Sequence, residues 1–120
     1  MRRHKIVKVD IRDVVVDPAG QSEMISAACR RGAGATATGL CQVGDEVFVS
    51  LEMFDEDDGA ESSVEYAFSP FRSENADEVV AEMKTRFFSG FSLVGGFYVG
   101  RAPWGLFRRS PGAAEVVVDK

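Results

Sequence analysis

Hydrophobic and polar positions change period along this chain, and the changes mark out its elements. From Lys5 to Val16 they alternate, with Val7, Val9 and Ile11 on one side and Lys8, Asp10 and Arg12 on the other. A period of two is that of a strand with one dry and one wet face. Ser63 to Ser69 repeats the pattern, with Val64, Tyr66 and Phe68 inward. Elsewhere the period lengthens. Asn75 is an N-cap with Glu78 at capping-box spacing, and Ala76, Val80, Met83 and Phe87 then recur at helical steps until Gly90 ends the helix. A weaker stripe, Met24, Ala27, Ala28 and Arg31, opens at Asp17-Pro18 or Ser22 and stops at Gly32 or Gly34.

Each helix leads into a strand and a hairpin. Ala35, Ala37, Gly39, Cys41 and Val43 share one face, as do Phe91, Leu93, Gly95, Phe97 and Val99. Gly44-Asp45 signals a tight turn, and Arg101-Ala102-Pro103 stands at the same place as a longer link. The strands that follow run from Glu46 to Phe54 and from Trp104 to Arg109, and Glu115 to Val118 reads as a tail strand, 115–118.

The two halves correspond. Gly34, Gly39, Val43 and Gly44 align with Gly90, Gly95, Val99 and Gly100, and Phe48 and Leu51 with Trp104 and Phe107. Upstream, Val7, Val9 and Ile11 fall opposite Val64, Tyr66 and Phe68. This pattern reads as an internal duplication. It predicts an α+β fold in one domain, 1–120, of two tandem β-α-β-β units, approximately 5–54 and 63–109, joined by an acidic linker, 55–62. The units are expected to form a mainly antiparallel sheet with two helices packed on one face, related to the ferredoxin-like order or curled into a half-barrel.

Composition narrows the function. The chain has 120 residues, of which 45% are hydrophobic, and carries 19 acids against 14 bases for a net charge of −5. That balance argues against nucleic acid as a partner, because phosphate binding needs a basic face. No apolar run reaches the length of a membrane span, and the start is too quickly interrupted by charge to read as a signal peptide. No membrane partner and a reduced, cytoplasmic setting are expected. The two cysteines, Cys29 and Cys41, form no CxxC pair and read as small core fillers. With one histidine, His4, neither a Cys/His zinc site nor a second imidazole for a nucleophile relay exists, so no metal and no cofactor are expected.

Four features carry candidate chemistry. The run from Asp55 to Glu61 is rich in carboxylates but lacks glycine at the sixth position of a calcium loop, so it reads as a solvated linker. Gly32-Ala33-Gly34 follows a helix rather than preceding one and reads as a helix stop, not a phosphate loop. Arg101, Trp104 and Arg108, with Tyr98 and Phe97 nearby, are candidates for holding an anionic ligand. Adjacent Phe87 and Phe88 cannot both face the core, and Phe88 is a candidate anchor for a dimer contact. The pairs Asp10 with Asp13 and Glu74 with Glu78 read as surface charges.

Three functions follow. The first is a small non-catalytic binding or assembly module acting as a homo-oligomer, with a dimer favoured. The second is an anionic-ligand binder or enzyme with a pocket near Trp104 and Arg101. The third is an acidic inhibitor of a protein partner, with Asp55, Asp57 and Asp58 in the contact.

Overall fold

In a computed structural model, residues 3–31, 34–53 and 64–109 are described. The elements run β1 (Arg3–Asp10), α1 (Ile11–Val16), α2 (Pro18–Arg30), β2 (Ala35–Val43), β3 (Glu46–Met53), β4 (Glu65–Pro70), α3 (Ala76–Phe88), β5 (Phe91–Val99) and β6 (Ala102–Arg109). This is an α+β chain of two β-α-β-β units. Its strands divide into two three-stranded antiparallel sheets, ordered β1-β3-β2 and β4-β6-β5. The linker 55–62 and the tail 115–118 lie outside the described residues.

The expected first strand is shorter than its alternation suggested. Asp10 accepts a hydrogen bond from the Arg12 N–H at 2.8 Å and caps α1. The Ile11 N–H still reaches the Asp45 carbonyl at 2.9 Å, one step beyond the Asp10–Glu46 pair, and from there the chain turns into α1. Ile11 and Val14 are buried on α1 instead of continuing a strand. Asp17 then caps α2, with Pro18 at its first position, where the missing N–H costs no hydrogen bond.

The helix faces also differ from expectation. α2 buries Ser22, Ile25, Ser26 and Cys29, whereas Met24 is turned toward water. α3 has no fully buried residue, and Val80 and Phe87 of its predicted stripe are exposed. The helix with the weaker sequence pattern is therefore the better packed one.

The correspondence between the halves extends to the backbone. Gly34 and Gly90 have φ of 99° and 96°, and Gly44 and Gly100 have φ of 59° and 61°, a region that side chains with a Cβ avoid. Both hairpins turn through two residues, so the second is no longer than the first. Irregularities interrupt both ladders at matching places, between Ala37 and Gly39 and between Leu93 and Gly95. Each inserts one residue and flips the side-chain alternation. This is why Ala35 and Ala37 are buried but Cys41 and Val43 are exposed, and why Phe97 is buried but Leu93 is exposed. The upstream alignment needs correction: Arg3 stands opposite Met53 and Glu65 opposite Arg109, so His4 and Ile6 are the counterparts of Tyr66 and Phe68.

One core spans both units. Val9, Val14, Ile25, Cys29, Val47, Val49 and Leu51 from the first join Tyr66, Phe68, Phe97 and Leu106 from the second. The join is polar as well as apolar. β4 is an edge strand, and its outward Phe68 and Tyr66 N–H groups donate to Ser22 Oγ at 2.8 Å and Ser26 Oγ at 2.9 Å on α2. The Tyr66 hydroxyl accepts from the Ala37 N–H at 2.9 Å. Gln42 bonds both the N–H and the C=O of Tyr98, its own counterpart 56 residues on, each at 2.9 Å. Ser22→Ala and Ser26→Ala each strand a buried N–H, at a cost of about 1–3 kcal/mol. Denaturant unfolding checks this, and unchanged midpoints in both variants would show that these hydroxyls do not seal the edge.

Candidate functional site

The residues expected to hold an anion do not converge. Phe97 and Trp104 lie together, stacked with centroids 6.2 Å apart, and Phe97 also meets the Phe68 ring edge-on at 6.0 Å. These rings pack with the core. Arg108 donates to Thr36 Oγ1 at 2.9 Å, beside the Tyr66 hydroxyl. Arg101 stands at an exposed hairpin 3.6 Å from Glu74. Tyr98 is exposed. Asp55, Asp57 and Asp58 lie outside the described residues. Of the two cysteines only Cys29 is a core filler, and Cys41 is exposed. Burial pushes the Cys29 thiol up, against the Tyr66 hydrogen bond and the neighbouring arginines.

Another cluster forms where α3 meets the second sheet. Asn75 caps the helix through the Asp77 and Glu78 N–H groups at 2.9 and 3.2 Å. Further along, Glu82 and Arg86 occupy one face, one turn apart, and pair at 2.6 Å with both side chains mostly covered. Arg86 also donates to the Pro70 carbonyl at 3.0 Å, while Glu82 accepts the Arg72 N–H at 3.0 Å. The guanidinium lies over the Phe107 ring at 4.5 Å and the Phe71 ring at 5.3 Å. Phe71 and Phe107 in turn meet edge-on at 5.7 Å. α3 is thus pinned to its sheet by a charged, planar clamp rather than by a buried apolar stripe.

The clamp divides two openings. On one side a cavity of about 460 Å³ lies among Ala67, Phe68, Ser69, Thr85, Phe91 and Phe107. On the other a cleft of about 420 Å³ is lined by Arg72, Ser73, Glu78 and Ala81. Arg86 borders both. The outer face of the same helix carries apolar side chains into water: Val80 is 45% exposed, Phe87 64% and Phe88 66%. The two phenyl rings touch edge-on at 6.3 Å. Phe88 was legible in the sequence as an outward aromatic; the exposure of Phe87 was not. The Glu82–Arg86 spacing was the available signal for the clamp, but that spacing is common on solvated helices.

Among the described residues no group of three or more His, Cys, Asp or Glu side chains could hold a metal ion. Nor is any helix there long and apolar enough to cross a membrane. Compared with known protein families, curated proteins and solved structures, the chain matches none. What the arrangement offers is surface and cavity: an aromatic helix face, and beneath it an apolar opening bordered by a paired guanidinium.

The clamp has a pH signature. Burial raises the Glu82 carboxyl, but the Arg72 N–H and Arg86 outweigh it and hold the group below its ordinary 4.5. A carboxylate so lowered stabilises the fold above its unfolded-state value, and the contribution is lost as pH falls through the folded-state value. The wild-type chain should therefore lose stability on acidification below about pH 4.5 more steeply than Glu82→Gln. Unfolding midpoints measured across that range check this, and identical acid limbs would remove Glu82 from the account.

Proposed function

We propose that this protein is a non-catalytic assembly module that works as a homodimer joined through α3. The observation that carries the reading is the exposure of Val80, Phe87 and Phe88 on a helix that buries none of its own residues. Contiguous apolar surface rimmed by polar residues marks contact sites, and aromatic side chains supply most of the energy at such contacts. Asp77 and Glu78 supply the polar rim, and Lys84 lies within the stripe, one turn after Val80 and one turn before Phe88. One α3 contributed by each of two copies would satisfy the closed symmetry that soluble homo-oligomers adopt.

A second reading rests on the cavity beneath α3. Its volume of about 460 Å³ falls in the range of small-ligand sites. Its apolar walls and bordering guanidinium suit a small aromatic or aliphatic acid. This reading moves the expected anion site from Arg101 and Trp104, which stand apart, to Arg86.

Sedimentation over a wide concentration range tests the first reading. The wild-type chain should dimerise, and Phe87→Ser with Phe88→Ser should weaken dimerisation by about 2 kcal/mol or more without unfolding the chain. A wild-type monomer at every concentration would sink it. For the second, small aromatic carboxylates should raise the melting temperature in proportion to their affinity, whereas matched amines should not. Equal response to both, or to neither, counts against it.

A further inference from the structure

Resting on that dimer reading, we infer that the surface α3 covers is the outer edge of β1 in a second copy of this chain. The internal contact between α2 and β4 supplies the pattern. α2 and α3 each begin after an Asx N-cap, Asp17 and Asn75, and each has 13 residues. Aligned cap to cap, Ser22 and Cys29 of α2 correspond to Val80 and Phe87 of α3. In α2 those positions are buried, and Ser22 seals the edge of β4. In α3 the same positions are exposed.

The matching edge is β1. It is the outer strand of the first sheet, as β4 is of the second. The Ile11 N–H bonds inward to Asp45, so antiparallel alternation turns the N–H groups of Lys8, Ile6 and His4 outward. His4 and Ile6 are the counterparts of Tyr66 and Phe68, whose N–H groups α2 covers. Among the described residues no strand pairs with this edge of β1, and an unpaired strand edge is a ready template for another chain.

Charge and shape commit the occupant. β1 carries Arg3, Lys5 and Lys8, the last paired with Glu46 at 3.5 Å, both side chains remaining exposed, and the first turn of α3 carries Asp77 and Glu78. Ile6, the counterpart of Phe68, is exposed on β1 and provides an apolar seat for Val80, the counterpart of Ser22. A basic edge and an acidic, aromatic helix on one chain are complementary to each other, not to themselves. Two copies can therefore close reciprocally, each helix on the partner's strand. At the places of Ser22 and Ser26, α3 carries Val80 and Lys84, which offer no acceptor, so this contact is held by its acidic first turn and by apolar packing, and it weakens as salt rises.

Hydrogen exchange on the wild-type chain, read together with sedimentation, tests this. The His4, Ile6 and Lys8 amides should gain protection as concentration rises through the dimerisation range. Lys5→Glu with Lys8→Glu should weaken dimerisation about tenfold at low salt, and Asp77→Lys with Glu78→Lys added should restore most of it. A monomeric wild type defeats the assembly reading itself. A dimer broken by the Phe87 and Phe88 substitutions but indifferent to charge reversal on β1 leaves that reading standing and overturns this one. Protection of the β1 edge at all concentrations would place the chain's own residues there and overturn it as well. The exchange measurement needs no substitution, so it decides the matter even where a reversed-charge variant fails to fold.

Discussion

The outward N–H groups of Tyr66 and Phe68 are the constraint around which the rest of the molecule is arranged. Both residues are buried, and a buried donor without an acceptor costs more than most single contacts return. β4 is an edge strand, and among the described residues no strand lies on that side to supply carbonyls. Ser22 and Ser26, one turn apart on α2, supply hydroxyls instead. This brings the helix of the first unit onto the strand of the second and makes one core out of two sheets. Ile25 and Cys29 lie on the same buried face, so the polar seal and the apolar packing reinforce each other.

The two helices show what side-chain size does to the same plan. α2 carries serine and cysteine where it meets β4, and small side chains let a helix approach a strand closely. α3 carries Val80, Lys84 and Phe87 at the corresponding places. It is held to its own sheet through Arg86, clamped between Glu82 and the rings of Phe71 and Phe107. The clamp fixes α3 at one end of its polar network and leaves its aromatic face outward. An apolar helix stripe and a buried helix stripe are thus different things, and here the stronger stripe is the exposed one.

The candidate chemistry follows the same division. Phe97 and Trp104 drew attention as possible ligand contacts because they are aromatic and near arginines in the chain. They serve the core, and the arginines near them point to different partners: Arg101 toward Glu74, Arg108 toward Thr36. Arg86, which sits over two rings and beside a cavity, had in sequence only its spacing from Glu82, common on solvated helices, to mark it. Phe71 and Phe107 reach it only because β4 and β6 pair, setting Ala67 opposite Phe107 and leading the chain on to Phe71.

Local chemistry was enough to determine much of this protein from its residues alone. Alternation marked the strands, Asn75 and Gly90 bounded a helix, and matched glycines announced two similar units, because these signals act within a few residues of backbone. Three things waited for the tertiary structure. A single inserted residue in β2 and in β5 reverses which side chains face inward, and nothing in an alternating pattern records it. Ile11 and Val14 leave the alternating strand for α1, which Asp10 caps, because there they pack into the core shared by both units. Which helix is buried was decided by where an unsatisfied strand edge lay. That is a property of two units packed together, and no stretch of either one contains it.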